Sequence, residues 1–128
     1  MKKIITTANA PSPVGAYSQA TVGAGILYAS GQIAIHPATG QLVLDSIEAE
    51  TRQVMKNLSA VLAKANSSFD EVLKCTIFLS DMKNYEKVNK VYAEYFSQET
   101  APARECVQVT HLPKYANVEI SLIAMVDR

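Results

Sequence analysis

Two ionisable side chains stand in strand-like runs: Arg104, in Pro102-Ala-Arg-Glu-Cys106, and Glu119, in the otherwise apolar run Val118 to Val126. A guanidinium offers paired donors in a plane and matches a carboxylate through two parallel hydrogen bonds, so Arg104 is suited to fixing a small acid in one orientation. The ordinary alternative is an ion pair within the chain, since structural arginines outnumber functional ones. A carboxylate placed like Glu119 must be exposed, paired or at work, because burial without a partner costs several kcal/mol. It can steer a water molecule, or it can simply neutralise Arg104. Strand alternation puts Arg104 on one face with Cys106 and Gln108, and Val107 and Val109 on the other.

Other reactive side chains carry weaker signals. Cys106 lies close to an arginine, which favours a thiolate, but no histidine stands near it in sequence to act as base, and buried strand cysteines are usually inert. Tyr17 is delivered from a loop bounded by Pro11, Pro13 and Gly15, where its phenol is available to a ligand or a neighbouring chain, with plain packing as the alternative. His36 and His111 lack partners at metal-ligand spacing, and the glycines at 23, 25 and 31 form no phosphate loop, so metal and nucleotide readings are weak. The tyrosines at 85, 92 and 95 follow helical spacing and are expected in a core or interface first.

The elements that must position these residues follow from periodicity. Lys2 to Thr7 is extended, residues 9 to 16 are irregular, and Ile26-Leu-Tyr-Ala-Ser30 is a strand closed by Gly31 and resumed as Gln32-Ile-Ala-Ile. His36 to Gly40 is a turn. From Asp45 the period changes: Ile47, Val54, Leu58, Val61, Leu62 and Ala65 recur at helical steps, with Glu50, Arg52, Lys56 and Lys64 on the polar side. Asp45 and Glu48 are expected to satisfy the helix's first amides, and Asn66-Ser-Ser to end it. Val72 to Ser80 is the clearest strand. Asp81 to Asn84 cap a second helix whose apolar stripe is Tyr85, Val88, Val91, Tyr92, Tyr95 and Phe96. Cys106 to Thr110 and Val118 to Val126 are the last strands, joined through Leu112 to Asn117. The expectation is an α+β fold: a single mixed sheet with two helices on one face, whose other face a subunit partner would cover. Were the last two strands a direct hairpin, Arg104 and Glu119 would lie on the order of 15 Å apart at about 3.3 Å per residue. They share one site only if those strands are not neighbours, or if different subunits supply them.

The bulk numbers fit one domain over residues 1–128, since 48% apolar composition provides a substantial core. Twelve cationic and twelve anionic side chains leave no net charge to attract nucleic acid or anionic lipid. The opening MKKIITTANAPSP has no apolar stretch of signal-peptide length, and no run approaches a membrane span, so a cytoplasmic protein is expected. In that compartment Cys75 and Cys106 are expected as two buried thiols and not a disulfide.

Six short pieces in this order resemble the Rid/YjgF family across essentially the whole chain: Gly15-Ala-Tyr-Ser-Gln19, Ala29-Ser-Gly-Gln32, Val88-Asn89 with Tyr92 and Tyr95-Phe96, Pro102-Ala-Arg104 with Cys106-Val, Leu112-Pro-Lys114, and Val118-Glu-Ile120. The resemblance implies a chorismate-mutase-like fold, a homotrimer with sites between subunits, and cofactor-free hydrolysis of 2-iminobutanoate and 2-iminopropanoate released by pyridoxal-phosphate-dependent dehydratases. It implies Arg104 as the carboxylate anchor and Glu119 as the residue that activates water, with Tyr17, Ser30, Gly31, Asn89 and Cys106 binding substrate. Ala16, Glu105 and Ser121 depart from the family pattern; Glu105, by alternation, should face away from Arg104. A binding module that senses small acids, and a ribonuclease or translation inhibitor, are the rival functions.

Overall fold

The computed structural model describes residues 1–126. In chain order these form strands β1 (Lys3–Ile5), β2 (Ala20–Gly23) and β3 (Ile26–Gln32), helix α1 (Ile47–Lys64), strand β4 (Val72–Leu79), helix α2 (Tyr85–Tyr92), and strands β5 (Ala103–Gln108) and β6 (Val118–Met125). The sheet order is β1-β2-β3-β6-β4-β5, antiparallel throughout except for β4 with β5. The last two strands are therefore not a hairpin. A helix lies between β4 and β5, which lets the chain return in the same direction, and β6 then inserts between β3 and β4.

Both helices lie on one face. Val54, Leu58, Val61 and Leu62 of α1 and Val88 of α2 are wholly or almost wholly buried against Leu27, Ile77, Leu79 and Ile120 of the sheet. The opposite face is open, and its apolar side chains show it: Ile4, Tyr28 and Val107 remain 49%, 52% and 44% exposed. No helix among the described residues is long and apolar enough to cross a membrane.

Two details of α1 differ from expectation. Ser46, not Asp45, is the N-cap; its extended backbone lets Oγ accept from the Ala49 amide at 3.0 Å. Glu50, expected on the polar side, is fully buried, where its carboxylate accepts from the Asn117 backbone amide and from Asn117 Nδ2, both at 2.8 Å. Periodicity cannot see a carboxylate turned inward to satisfy a distant loop. The effect is to fix the residue just before β6, two positions from Glu119.

Candidate functional site

Arg104 lies on β5 opposite Cys75 of β4, so it projects to the helix-covered face. The alternation expected for β5 holds, with the covered side being the one that carries Arg104. As an edge strand β5 is only partly roofed, and beneath the end of α2 a cavity of about 480 Å³ opens, lined by Tyr85, Asn89, Tyr92, Phe96, Pro102 and Arg104 among others. Tyr85 and Asn89 are four residues apart on α2 and so occupy the same helical face. Arg104 Nη1 donates to Asn89 Oδ1 at 2.7 Å and Nη2 to Tyr85 Oη at 2.6 Å. The Tyr92 ring lies 4.9 Å from the guanidinium carbon, a cation–π contact. Burial, reinforced by the neighbouring Cys75 thiol, pushes the Tyr92 phenol well above its ordinary pKa, so it stays neutral.

Every one of these partners is uncharged. The ion pairs among the described residues join Arg52 to Glu94 and Lys74 to Glu105, and no carboxylate reaches Arg104. Glu105 does face the other way, bonded across the open side to Lys74 at 3.4 Å. Arg104 is thus held in orientation without being neutralised, which is the arrangement an anion site requires.

Glu119 lies elsewhere. It pairs in register with Phe78 of β4, whereas Ile120 pairs with Ile77, so Glu119 projects to the open face, opposite to Arg104. With Tyr17, Gly31, Gln32 and Lys114 it lines a second cavity of about 150 Å³. The pairing of β3 with β6 slips between Ala29 and Gln32, a bulge that brings Gly31 against the Glu119 side chain. Burial pushes the Glu119 carboxyl above its ordinary pKa, which makes it a stronger base toward a water proton. One protomer therefore does not bring Arg104 and Glu119 together.

The remaining candidates divide between these two half-sites. Asn89 belongs to the first. Cys106 also faces the covered side, half-buried rather than buried; burial raises its thiol and nearby Arg104 opposes this only in part, so no activated thiolate results. Cys75 is fully buried, and its thiol is likewise raised by burial. Tyr17 and Gly31 belong to the second half-site. The Ser30 hydroxyl donates to the Ser18 carbonyl at 2.6 Å, tying the Tyr17 loop to β3.

Two contributors were missed in the sequence. Gln19 is buried, accepts from the Thr7 amide at 2.7 Å, and donates to the carbonyls of Thr7, Ala10 and Pro11, so it organises the loop that delivers Tyr17. Tyr85 reads by its spacing as a core or interface residue; its offset of four from Asn89 is the available signal.

The fold and its half-sites define a small α+β protein with an unneutralised arginine in one cleft and a desolvated carboxylate in another. Residues 7–126 match the family model described as endoribonuclease L-PSP, and the chain belongs to this family, the Rid/YjgF proteins. It is 48% identical over 124 residues to a RutC family protein of Pyrococcus horikoshii, covering 97% of this chain and 98% of that one. It is 42% identical over 125 residues to the 2-iminobutanoate/2-iminopropanoate deaminase of Rattus norvegicus, covering 98% and 90%. Among solved structures, the Rid family protein YyfA of Yersinia pestis superposes with a TM-score of 0.95 at 52% identity, covering 98% of this chain and all of that one.

Proposed function

We propose that this chain is a cytoplasmic hydrolytic deaminase of reactive 2-imino acids, 2-iminobutanoate and 2-iminopropanoate, working as a homotrimer with sites between subunits. The observation that carries the reading is the Arg104 guanidinium, fixed by Asn89 and Tyr85 yet paired with no carboxylate among the described residues. The mammalian relative's name supports the choice of substrate. Arg104 holds the carboxylate, a backbone carbonyl near Cys106 faces the imine nitrogen, and Glu119 of a neighbouring subunit directs water to the imine carbon. The carbinolamine so formed expels ammonia and leaves a 2-oxo acid. No cofactor is required, because an iminium is already electrophilic; positioning and proton transfer suffice, the latter typically contributing ~10²–10⁴-fold. Pyridoxal-phosphate-dependent dehydratases are the class of enzyme that supplies such imines.

The test couples a threonine dehydratase to the purified chain and follows trapping of the imine by semicarbazide. The wild type should deplete the trapped product, while Arg104→Ala should not and Glu119→Gln should do so only at a small residual rate. Trimers assembled from an equal mixture of these two variants should recover about one quarter of wild-type activity. Each mixed ring restores one complete site of three, and about three quarters of rings are mixed under random association around a threefold axis. Full activity in Arg104→Ala would sink the assignment, and a mixture as inactive as its parents would place both residues in one chain's site. The family model's description favours a second reading, RNA cleavage. With no net charge, the chain makes a poor polyanion binder. Tight RNA binding that weakens steeply with salt would revive that reading.

A further inference from the structure

The geometry points to Tyr85 as a second ligand for the carboxylate that Arg104 anchors, its phenolic O–H donating directly to the anion. This rests on Arg104 being the carboxylate anchor, and it adds a residue that neither family resemblance nor helical spacing assigned.

Tyr85 opens α2 and lines the cavity of about 480 Å³ beside Asn89 and Arg104. Its oxygen accepts from Arg104 Nη2 at 2.6 Å. A phenol oxygen has one proton to give, and it does not give it back to a cation that is itself a pure donor. The O–H bond must therefore turn away from the guanidinium, and among the described residues nothing accepts it. Its orientation is fixed on one side by Arg104 and on the other by the ring, which lies against the guanidinium carbon at 5.6 Å. The adjacent positive charge also polarises the hydroxyl and strengthens it as a donor.

An anion seated on the guanidinium would thus meet a third, differently directed donor at one of its oxygens. Toward that anion Arg104 and Tyr85 present donors only. The pair favours a free carboxylate and rejects the isosteric primary amide, whose own N–H groups would face N–H and O–H donors. The ligand class selected is the small 2-substituted carboxylic acid in its ionised form.

Tyr85→Phe keeps the ring and its contact with Arg104 and removes only the hydroxyl. Calorimetric titration with 2-oxopropanoate and with its uncharged amide, 2-oxopropanamide, reads the difference. The Kd for 2-oxopropanoate should rise about 10-fold, or ~1.4 kcal/mol, while binding of the amide changes less than about twofold. In the imine assay KM should rise by a similar factor with kcat nearly unchanged, the pattern of lost ground-state and transition-state binding in equal measure. An unchanged Kd for 2-oxopropanoate, or equal losses for both probes, would overturn the assignment. Arg104→Ala run alongside separates the two levels: if it leaves 2-oxopropanoate binding intact, Tyr85 falls with it. If the wild type binds 2-oxopropanoate through both residues yet leaves imine lifetime unchanged, the deaminase reading fails and the Tyr85 assignment stands. Should Tyr85→Phe not fold, 3-fluorotyrosine at position 85 reports the same contact by fluorine NMR. Its resonance should shift with 2-oxopropanoate and not with the amide, and no shift would overturn the proposal.

Discussion

A methyl group added at Gly31 is the sharpest perturbation available to the Glu119 half-site. A Cβ built there would sit 2.6 Å from Glu119 Oε2, 2.7 Å from Cδ and 3.0 Å from Cγ, so the whole carboxylate end must retreat. Reaching ordinary contact at 3.4 Å means a displacement of about 0.8 Å for the nearest oxygen. A reacting group misplaced by about 1 Å costs on the order of 100-fold in rate, so Gly31→Ala should lower kcat by about 10- to 100-fold. Stability should barely move: Gly31 does not occupy left-handed backbone, the clashing atoms end a flexible side chain, and restricting the unfolded chain returns about 0.4–1 kcal/mol. The assay is imine trapping with thermal unfolding measured in parallel. If the loss acts through Glu119, adding Gly31→Ala to Glu119→Gln should cost little more, since the machinery is already disabled. Wild-type kcat in Gly31→Ala, or losses that multiply in full in the double variant, would refute the reasoning.

Two further outcomes follow from the same half-site. Because burial raises the folded-state pKa of Glu119, its favourable contribution is complete below the unfolded pKa and is lost as pH rises through the folded one. Glu119→Gln should therefore raise Tm at about pH 7 but not at about pH 4, and should abolish an acid limb of the rate profile that lies above the ordinary carboxylate range; equal Tm shifts at both pH values would contradict the burial account. Gln19→Ala strands the amide of Thr7 and the carbonyls of Thr7, Ala10 and Pro11, so it should cost about 2–3 kcal/mol and lower Tm by about 8–12 °C in a thermal melt. A melt unchanged from wild type would show that the Tyr17 loop is held by something else.

The sequence disclosed what depends on local pattern. Alternation separates Arg104 from Glu105, although β5 begins at Ala103 and not at Cys106, and both helices show in their apolar stripes, although α2 ends at Tyr92 and leaves Tyr95 and Phe96 of the expected stripe beyond it. What it could not disclose depends on partners far along the chain. Nothing near Val118 says that β6 slides between β3 and β4, so the faces of Arg104 and Glu119 could not be compared until the register was known. Glu50 reads as a surface residue because its partner Asn117 is 67 positions away, and Gln19 as a loop residue because its bonds reach back to Thr7. The bulge at Ser30 and Gly31 was visible only as an interruption in a strand; that it seats Glu119 is a fact of pairing between strands. Tyr85 shows a different limit, since helical spacing reports which side of a helix a residue occupies and not whether its polar end meets a cavity.

The separation of Arg104 from Glu119 has a chemical logic that sequence proximity obscured. Had the two side chains shared a face, the guanidinium would have drawn the carboxylate into an ion pair, depressing its pKa and consuming the charge needed for an anion. Placed on opposite faces of one sheet, each stays available: Arg104 is oriented by neutral acceptors and keeps its positive charge, and Glu119 is desolvated and keeps its basicity. In the proposed trimer the two would meet across a subunit boundary with the substrate between them. The substrate carboxylate would then satisfy Arg104, leaving Glu119 free to act on water at the neighbouring carbon. The open face with its half-exposed Ile4, Tyr28 and Val107 is the surface such an assembly would cover, so the contacts that join subunits would also bring the half-sites together.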